Sequence, residues 1–339
     1  MEILAPAASA PAPLVSVIVA AFNCALYIDA AVRSVVEQTY RHFELIVVDD
    51  GSTDDTRARA ECWAAGDSRV RVISQVNSGT AAGARNTGLT LASGEYVCFL
   101  DGDDYYHPQR LAVLVGFLHE QPDLGLAFHD FELVDAGGAP IGGTYLGDCN
   151  YLDKAAAAAA FTTLRPGVMR STRHFYPFMT SAITGIWTGS VMIRRGLLVA
   201  EADMFVTTQR VGEDIDLWFR LAARADVGLV DQVLSFYRQH SQSVMRDIEA
   251  SSAGFIFAHS RNFERARARL TPTQTTRCRQ RLATELRNLA YHQELRGQTR
   301  QALATYRRSL SYVFAMRTLL AAAKAVLRPW LRKPGQANS

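Results

Sequence analysis

The sequence predicts an α/β fold: a Rossmann-like, mostly parallel sheet between helices, with an α-helical extension at its C-terminal end. Three observations predict it. Apolar, β-branched runs alternate with segments of helical periodicity as far as about Val134. Several of these runs stop at carboxylates and glycine, the composition of a strand that opens into a ligand-binding loop. From about Ile248 the periodicity is helical throughout. Repeated βα units of this length call for a sheet covered on both faces.

The elements follow in order. Val15–Ala21 is an apolar strand. Over 26–38, Ile28, Ala31, Val32, Val35 and Val36 recur at helical spacing. A second strand, 43–48, is closed by Asp49, Asp50 and Gly51, and Ser52 and Thr53 are suited to cap the helix that follows, to about Ala65. Val70–Ser74 is a third, shorter strand, 80–92 a helix of small residues ending at Gly94, and 95–100 a fourth strand. Residues 108–119 read as a helix opened by Pro108, and Leu124–Val134 as a strand. Residues 136–181 read as irregular, with a Gly-rich turn, an alanine run from Ala155 to Ala160 and a polar stretch over 170–174; long irregular inserts are often lids or substrate loops. A strand over 188–194, a helix over 211–224 with Ile215, Trp218, Phe219 and Leu221 inward, and a strand over 227–237 follow. In the tail, 282–310 resembles a tetratricopeptide hairpin turning at Gly297. A single hairpin of that kind cannot bury both faces, so it is expected to pack on the rest of the chain or on a partner. The expected divisions are a disordered tail over 1–13, an α/β domain over 14–246 and a helical region over 247–339.

Charge and cysteine usage narrow the setting. The net charge of +3 conceals an asymmetry: residues 251–339 carry 17 Lys and Arg against 3 Asp and Glu, a net +14, which leaves −11 on the first 250. A basic tail of that kind either meets an anionic surface or is a solvated helical face rich in arginine. Over 312–331 and just beyond, Arg317, Lys324, Arg328, Arg332 and Lys333 accompany Phe314, Leu319, Leu320, Val326, Leu327 and Trp330. That composition fits an interfacial helix on an anionic membrane or, equally, a packing helix with snorkelling arginines. The five cysteines are scattered, with no C-x-x-C pair, which argues against a disulfide framework and a zinc site and favours a reducing cytoplasm. The N-terminus lacks the basic stretch of a signal peptide, and the most nearly membrane-spanning segment, 310–331, is interrupted by Arg317, Lys324 and Arg328.

The chemistry is concentrated in FLDGDD. An apolar strand ends there in Asp101, Asp103 and Asp104, and carboxylates so close repel unless something neutralises them. A divalent cation does so, and hard oxygen ligands suit Mg²⁺ or Mn²⁺, which in turn holds a diphosphate. An acidic turn capping the next helix would look the same in isolation. Two further acidic clusters end other elements. Asp49-Asp50 closes the second strand, where a carboxylate can accept a hydrogen bond from a base. Glu213-Asp214 opens a helix, where acids are favoured by the macrodipole in any case.

The ordered set VSVIVAAFN, ELIVVDDGSTDDT, NSGTAAGARNTGL, GEYVCFLDGDD, EDIDLWFRL and SFYRQH resembles the large family 2 of glycosyltransferases, over roughly residues 13–246. The resemblance implies the GT-A fold and inverting, metal-dependent transfer of one sugar from a UDP- or dTDP-sugar to a hydroxyl acceptor. It implies nucleotide contacts at Ala21, Phe22 and Asn23, at Asp49 and Asp50 (Asp50 on the base edge), at Asn77, Arg85 and Asn86 in the segment closing over base and ribose, and at Asp101 and Gly102. It implies Mn²⁺ or Mg²⁺ held by Asp103, with Asp101 and His240 beside it, and Asp214 as the general base. Asp104, Glu213, Trp187 and Trp218 are the expected contacts to donor sugar or acceptor.

The chain departs from the processive members, which carry Q-x-x-R-W after the acidic pair and several transmembrane helices; single-sugar transfer is expected instead. The partners implied are a nucleotide-sugar donor and a glycan or lipid-linked saccharide, with no nucleic acid, in bacterial surface polysaccharide or glycolipid synthesis at the cytoplasmic face of the plasma membrane. A NAD-dependent dehydrogenase would want G-x-G-x-x-G where this chain has Ala20-Ala21-Phe22-Asn23, and a sugar nucleotidyltransferase a Lys-containing, Gly-rich loop there. A degenerate, nucleotide-sugar-binding scaffold acting through its helical tail is the alternative, and the full set of carboxylates speaks against it.

Overall fold

The computed structural model describes residues 12–199, 204–241 and 247–331, with side chains as far as Ala325. Strands β1 (Val15–Ala21), β2 (Phe43–Asp49), β3 (Val70–Ser74) and β4 (Tyr96–Asp101) alternate with helices α1 (Ile28–Val36), α2 (Thr56–Gly66) and α3 (Ala81–Leu91). The short β5 (Tyr105–Tyr106), α4 (Arg110–Glu120) and β6 (Leu124–Val134) follow. The single sheet has the order β3-β2-β1-β4 and then continues through β10 (Val191–Arg194), β6, β11 (Asp226–Arg238), β9 (Val168–Ser171) and β8 (Phe161–Arg165). β3, β2, β1 and β4 are mutually parallel, and β10 is antiparallel to both β4 and β6, so β6 and its parallel neighbour β11 run the same way as the first four.

Alternation along these strands builds two cores. On β1, Val15, Val17 and Val19 pack with Ile28, Val32 and Val35 of α1, whereas Ile18 faces Ala84 and Leu89 of α3. Both sets are fully or nearly buried, as a sheet covered on both faces requires. The expected N-caps of α2 have another job: Ser52 accepts the Asn23 N–H and the Thr53 N–H donates to Asn23 Oδ1, while the helix starts three residues later, after Asp55.

Residues 136–181 are not an irregular lid. They contain β7 (Pro140–Thr144), α5 (Tyr145–Asp148), α6 (Tyr151–Ala157), β8, β9 and α7 (Phe175–Ser181). β9 extends the sheet from β11, and every residue of α7 is buried. These elements escape a reading for periodicity because they are short, because β8 is a largely exposed edge strand, and because α7 is buried on all sides.

After β10 come α8 (Arg195–Val199) and α9 (Glu213–Ala222), and after β11 the helices α10 (Ile248–Ala266), α11 (Pro272–Leu295), α12 (Thr299–Tyr312) and α13 (Met316–Leu331). The α11–α12 hairpin turns at Gly297 with φ 76° and packs on the rest of the chain: Cys278 and Leu282 meet Phe263, Leu286 and Leu289 meet Ile256, and Arg281 donates to the Ala182 carbonyl at 2.9 Å. The seam between α10 and α9 is closer still. A Cβ on Gly254 would lie 2.1 Å from the Val211 carbonyl oxygen, and one on Gly212 (φ 84°) would lie 2.5 Å from the Gly254 oxygen. Beneath this contact Asp216, fully buried, accepts from Arg220 and Arg265 at 3.0 Å each, with Arg261 at 3.7 Å.

At the N-terminal end, the Ala12 carbonyl meets the His42 ring and the Pro13 carbonyl accepts from the Tyr40 hydroxyl; the rest of the tail expected over 1–13 lies outside the described residues. On α13 and just before it, Phe314, Met316, Leu319 and Leu320 are exposed beside Arg317 and Lys324. The expectations that rest on Val326, Leu327, Arg328, Trp330, Arg332 and Lys333 fall outside the described side chains. Among the described residues no helix is long and apolar enough to cross a membrane.

Candidate functional site

Strand register brings the sequence motifs to one rim. Parallel pairing sets Ala21 level with Asp49 and Ala20 level with Asp101, so β1, β2 and β4 end together and their loops open on one cleft, as carboxyl ends of parallel strands do. The cleft holds a cavity of about 1280 Å³. Ala21, Phe22, Asp50, Asn77, Arg85, Asp101, Gly102, Asp103, Trp187, Glu213, Asp214 and His240 all line it.

Part of the cavity wall is a preformed hydrogen-bonding pocket. The Asp50 carboxylate accepts from Gln75 Nε2, from the Ser78 N–H at 3.0 Å and from the Ser78 hydroxyl at 2.9 Å, which fixes it at the wall without a neutralising cation. Asn77 folds back to accept the Gly79 N–H at 2.7 Å. Three other expected nucleotide contacts lie outside this lining. Asn23, at φ 48°, is spent on the 52–53 loop. Asp49 is buried and accepts from Ser52 N and Ser74 Oγ. Asn86 pairs twice with the Phe205 backbone, at 2.8 and 2.9 Å, and so holds the segment after α8 in place. Gly102 has a tighter reason than ligand approach: a Cβ there would lie 2.6 Å from Cys24 Sγ.

The acidic residues are organised by two arginines. Arg85, almost fully buried, donates to Asp101 Oδ1 and to Glu213 Oε1, each at 2.7 Å, so one side chain joins the FLDGDD strand end to the start of α9. Burial and the adjacent Asp214 charge push the Glu213 carboxyl up to about 7, against the pull of Arg85. Arg238 braces the next turn: its N–H donates to Asp104 Oδ1 at 2.7 Å and its Nε to the Asp103 carbonyl at 2.9 Å. Asp104 is thereby a buried structural carboxyl, held well above the usual carboxylate range by burial and by Asp103 and Asp101. It does not reach the cavity, which removes it as a sugar contact.

Asp103 Oδ2 lies 2.9 Å from His240 Nε2, and both residues line the same cavity. Among the described residues no group of three or more His, Cys, Asp or Glu is arranged to hold a metal ion. The pair does fit a hard cation that completes its shell from elsewhere, since Mg²⁺ and Mn²⁺ sites commonly combine one or two carboxylates with phosphate oxygens and water.

The same cavity is lined by Asp214 and a wall of rings. Thr188 Oγ1 donates to Asp214 Oδ2 at 2.9 Å, and the Ile215 N–H donates to Oδ1 at 2.8 Å. Phe131, Tyr145, Trp187 and Tyr237 line the cavity beside it. Of these only Trp187 stood out in the sequence; the other three sit in a strand, an insert and the SFYRQH segment, where aromatic residues read as core. Trp218 is a correction. It is fully buried against Phe99 and Phe205, one helical turn below Asp214, and touches no part of the cavity.

Residues 16–132 match the family described as glycosyl transferase family 2. The putative teichuronic acid biosynthesis glycosyltransferase TuaG of Bacillus subtilis is 38% identical over 129 residues, which are 38% of this chain and 51% of TuaG. The UDP-Glc:alpha-D-GlcNAc-diphosphoundecaprenol beta-1,3-glucosyltransferase WfaP of Escherichia coli is 41% identical over 112 residues, 32% of this chain and 42% of WfaP. The chain thus spans about half or less of these curated relatives. In structure it is similar to S. aureus TarS 1-349 in complex with UDP-GlcNAc, with a TM-score of 0.61 over 93% of this chain and 85% of that one, at 21% identity; that likeness is one of fold.

Proposed function

Since residues 16–132 match glycosyl transferase family 2 and the chain has the GT-A-like fold expected of it, we propose that it transfers a single sugar from a UDP- or dTDP-sugar to a hydroxyl acceptor, with inversion. The observation that carries this reading is that Asp50, Asp101, Asp103 and Asp214 open on one cavity, with Arg85 tying Asp101 to the Glu213-Asp214 pair.

The residues divide the work. Asp50, Asn77 and Arg85 frame the end that takes the nucleotide. Asp103 and His240 would hold Mn²⁺ or Mg²⁺ together with the diphosphate, and the cation when bound neutralises charge gathering on the leaving group. Asp214 accepts the proton of the attacking hydroxyl, its orientation set by Thr188 and the Ile215 N–H. Attack from the side opposite the leaving diphosphate inverts the anomeric carbon, by the logic that separates two carboxylates in inverting glycosidases.

The relatives TuaG and WfaP, named for teichuronic acid synthesis and for a diphosphoundecaprenol-linked acceptor, support a place in bacterial polysaccharide or glycolipid assembly. The exposed Phe314, Met316, Leu319 and Leu320 beside Arg317 and Lys324, within the C-terminal 89 residues that carry a net charge of +14, support a peripheral position on an anionic bilayer. Hydrolysis and transfer of UDP-, dTDP- and GDP-sugars, assayed with Mn²⁺ and with chelator, test the proposal. Turnover of none of them, with nucleotide still bound, would leave the scaffold reading in its place.

A further inference from the structure

We propose that Gln75 and Thr87 set which base the donor nucleotide carries, through a Thr87–Gln75–Asp50 relay that leaves Asp50 one acceptor position for a single ring N–H. The proposal rests on the nucleotide-sugar reading and adds to it two positioning residues, neither of which lines the cavity.

The relay joins three elements. Asp50 follows β2, Gln75 follows β3, and Thr87 lies on α3. The Gln75 N–H donates to the Asp49 carbonyl at 3.0 Å, which carries the pairing of β2 with β3 one residue further. The Gln75 side chain bridges Asp50 and α3: its Nε2 donates to Asp50 Oδ1, and its Oε1 accepts from the Thr87 hydroxyl at 2.6 Å. The carboxylate demands the N–H side of the amide, and Thr87 then secures the oxygen. Turned over, the amide would set its oxygen against Asp50. Two glycines let the segment after β3 lie this close. A Cβ on Gly51 (φ 73°) would lie 2.8 Å from Asn77 N, and one on Gly83 would lie 2.1 Å from Ser78 Oγ.

Counting acceptor positions gives the selectivity. A carboxylate has about four. Gln75 Nε2 takes one on Oδ1, and the Ser78 hydroxyl takes one on Oδ2 at 2.9 Å. The Ser78 N–H is shared between the two oxygens, at 3.0 and 3.1 Å. One position remains, on a residue that is 4% exposed and lines the cavity. All three hydrogens on Asp50 come from its neighbours, so the remaining position accepts. Uracil and thymine offer it a single N–H at N3. Cytosine turns a lone pair outward from the same atom, and guanine turns two adjacent hydrogens that call for both carboxylate oxygens. A lone pair facing a buried carboxylate leaves both groups unpaired, which is how a polar site rejects a close analogue. Without Gln75, or with its oxygen released by Thr87, the carboxylate loses the bond that fixes its plane, and discrimination on that edge falls.

The test is calorimetric titration of the full chain with UDP and, separately, with CDP, both with Mn²⁺. The two ligands share ribose and diphosphate, so the ratio of their affinities reads the base edge alone. The native chain is expected to favour UDP by about a hundredfold or more. Thr87→Val keeps the shape of the side chain and removes its hydroxyl. This variant and Gln75→Met are each expected to lower the ratio by about tenfold or more. Thr87→Ser restores the hydroxyl and is expected to hold the ratio within about twofold of native. A substitution that acts only through stability would weaken both nucleotides together and leave the ratio as it was. Gln75 lies outside the helices and strands, so Gln75→Met stays readable should Thr87→Val fail to fold. A ratio unchanged in either variant, a ratio lost equally in Thr87→Ser, or a native chain that binds UDP and CDP alike would overturn the relay and leave the nucleotide-sugar reading standing. A folded native chain that binds neither would sink that reading and the relay with it.

Discussion

Thr188 and Asp214 share a 2.9 Å hydrogen bond across the seam between the turn before β10 and the first turn of α9. Each carboxylate oxygen of Asp214 accepts one bond from the protein, Oδ2 from Thr188 and Oδ1 from the Ile215 N–H, which leaves lone pairs free toward the cavity. Asp214→Asn is therefore expected to lower the transfer rate by about 10²–10⁴-fold while donor affinity stays near that of the native chain. Single-turnover transfer beside equilibrium donor binding measures both, and near-native transfer would remove Asp214 from its role.

Asp103→Ala removes a carboxylate from the end of the cavity where the diphosphate is proposed to sit. Donor binding by the native chain is expected to be stronger with Mn²⁺ than with chelator, and binding by the variant to be the same in both. Calorimetric titration of UDP under the two conditions reads the difference; a variant that keeps the Mn²⁺ effect would move the cation elsewhere.

Glu213 gives a pH signature. Its carboxyl is pushed from 4.5 up to about 7 by burial and by Asp214, so between these values the folded chain binds more protons there than the unfolded chain. The contribution of this group to stability is full below the unfolded value and is lost as pH rises through the folded one. Glu213→Gln lacks that slope. The melting temperature of the native chain relative to the variant is expected to fall between about pH 5 and about pH 8, and a constant difference would count against the shift.

Asp216 is fully buried and joins α9 to Arg261 and Arg265 of α10 as well as to Arg220. Asp216→Ala is expected to cost about 3 kcal/mol, since one partner of a buried network is removed. The loss is expected at the lower end for such networks because Arg261 and Arg265 partly reach water. Urea unfolding gives the value, and a change below about 0.5 kcal/mol would show the network to be dispensable.

The parallel half of the sheet was legible because each strand is an apolar run with a chemical stop: Val15–Ala21, Val70–Ser74 and Leu124–Val134 agree with the structure to the residue. The insert was not, because β8 has four exposed residues out of five and α7 has no exposed face to set its period. The acidic residues of the cavity announce themselves, since few other settings collect so many carboxylates at strand ends. Trp218 misled because spacing alone cannot say how deep a residue lies: four positions after Asp214 it shares a helical face with it, but one turn lower, in the layer of Phe99 and Phe205. The ring wall was hidden for the converse reason. Phe131, Tyr145 and Tyr237 are far apart in sequence, and only strand pairing and the fold of the insert bring them together.

The backbone contact between Gly212 and Gly254 leaves no room for even a methyl group on either side. The register of the helix carrying Glu213 and Asp214 is thus dictated from a segment some forty residues downstream that does not line the cavity. Loss-of-function variants should accordingly accumulate along α10 as well as around the cavity, and grafting the first 246 residues onto a foreign tail would carry over the walls of the cavity without the brace that aligns them.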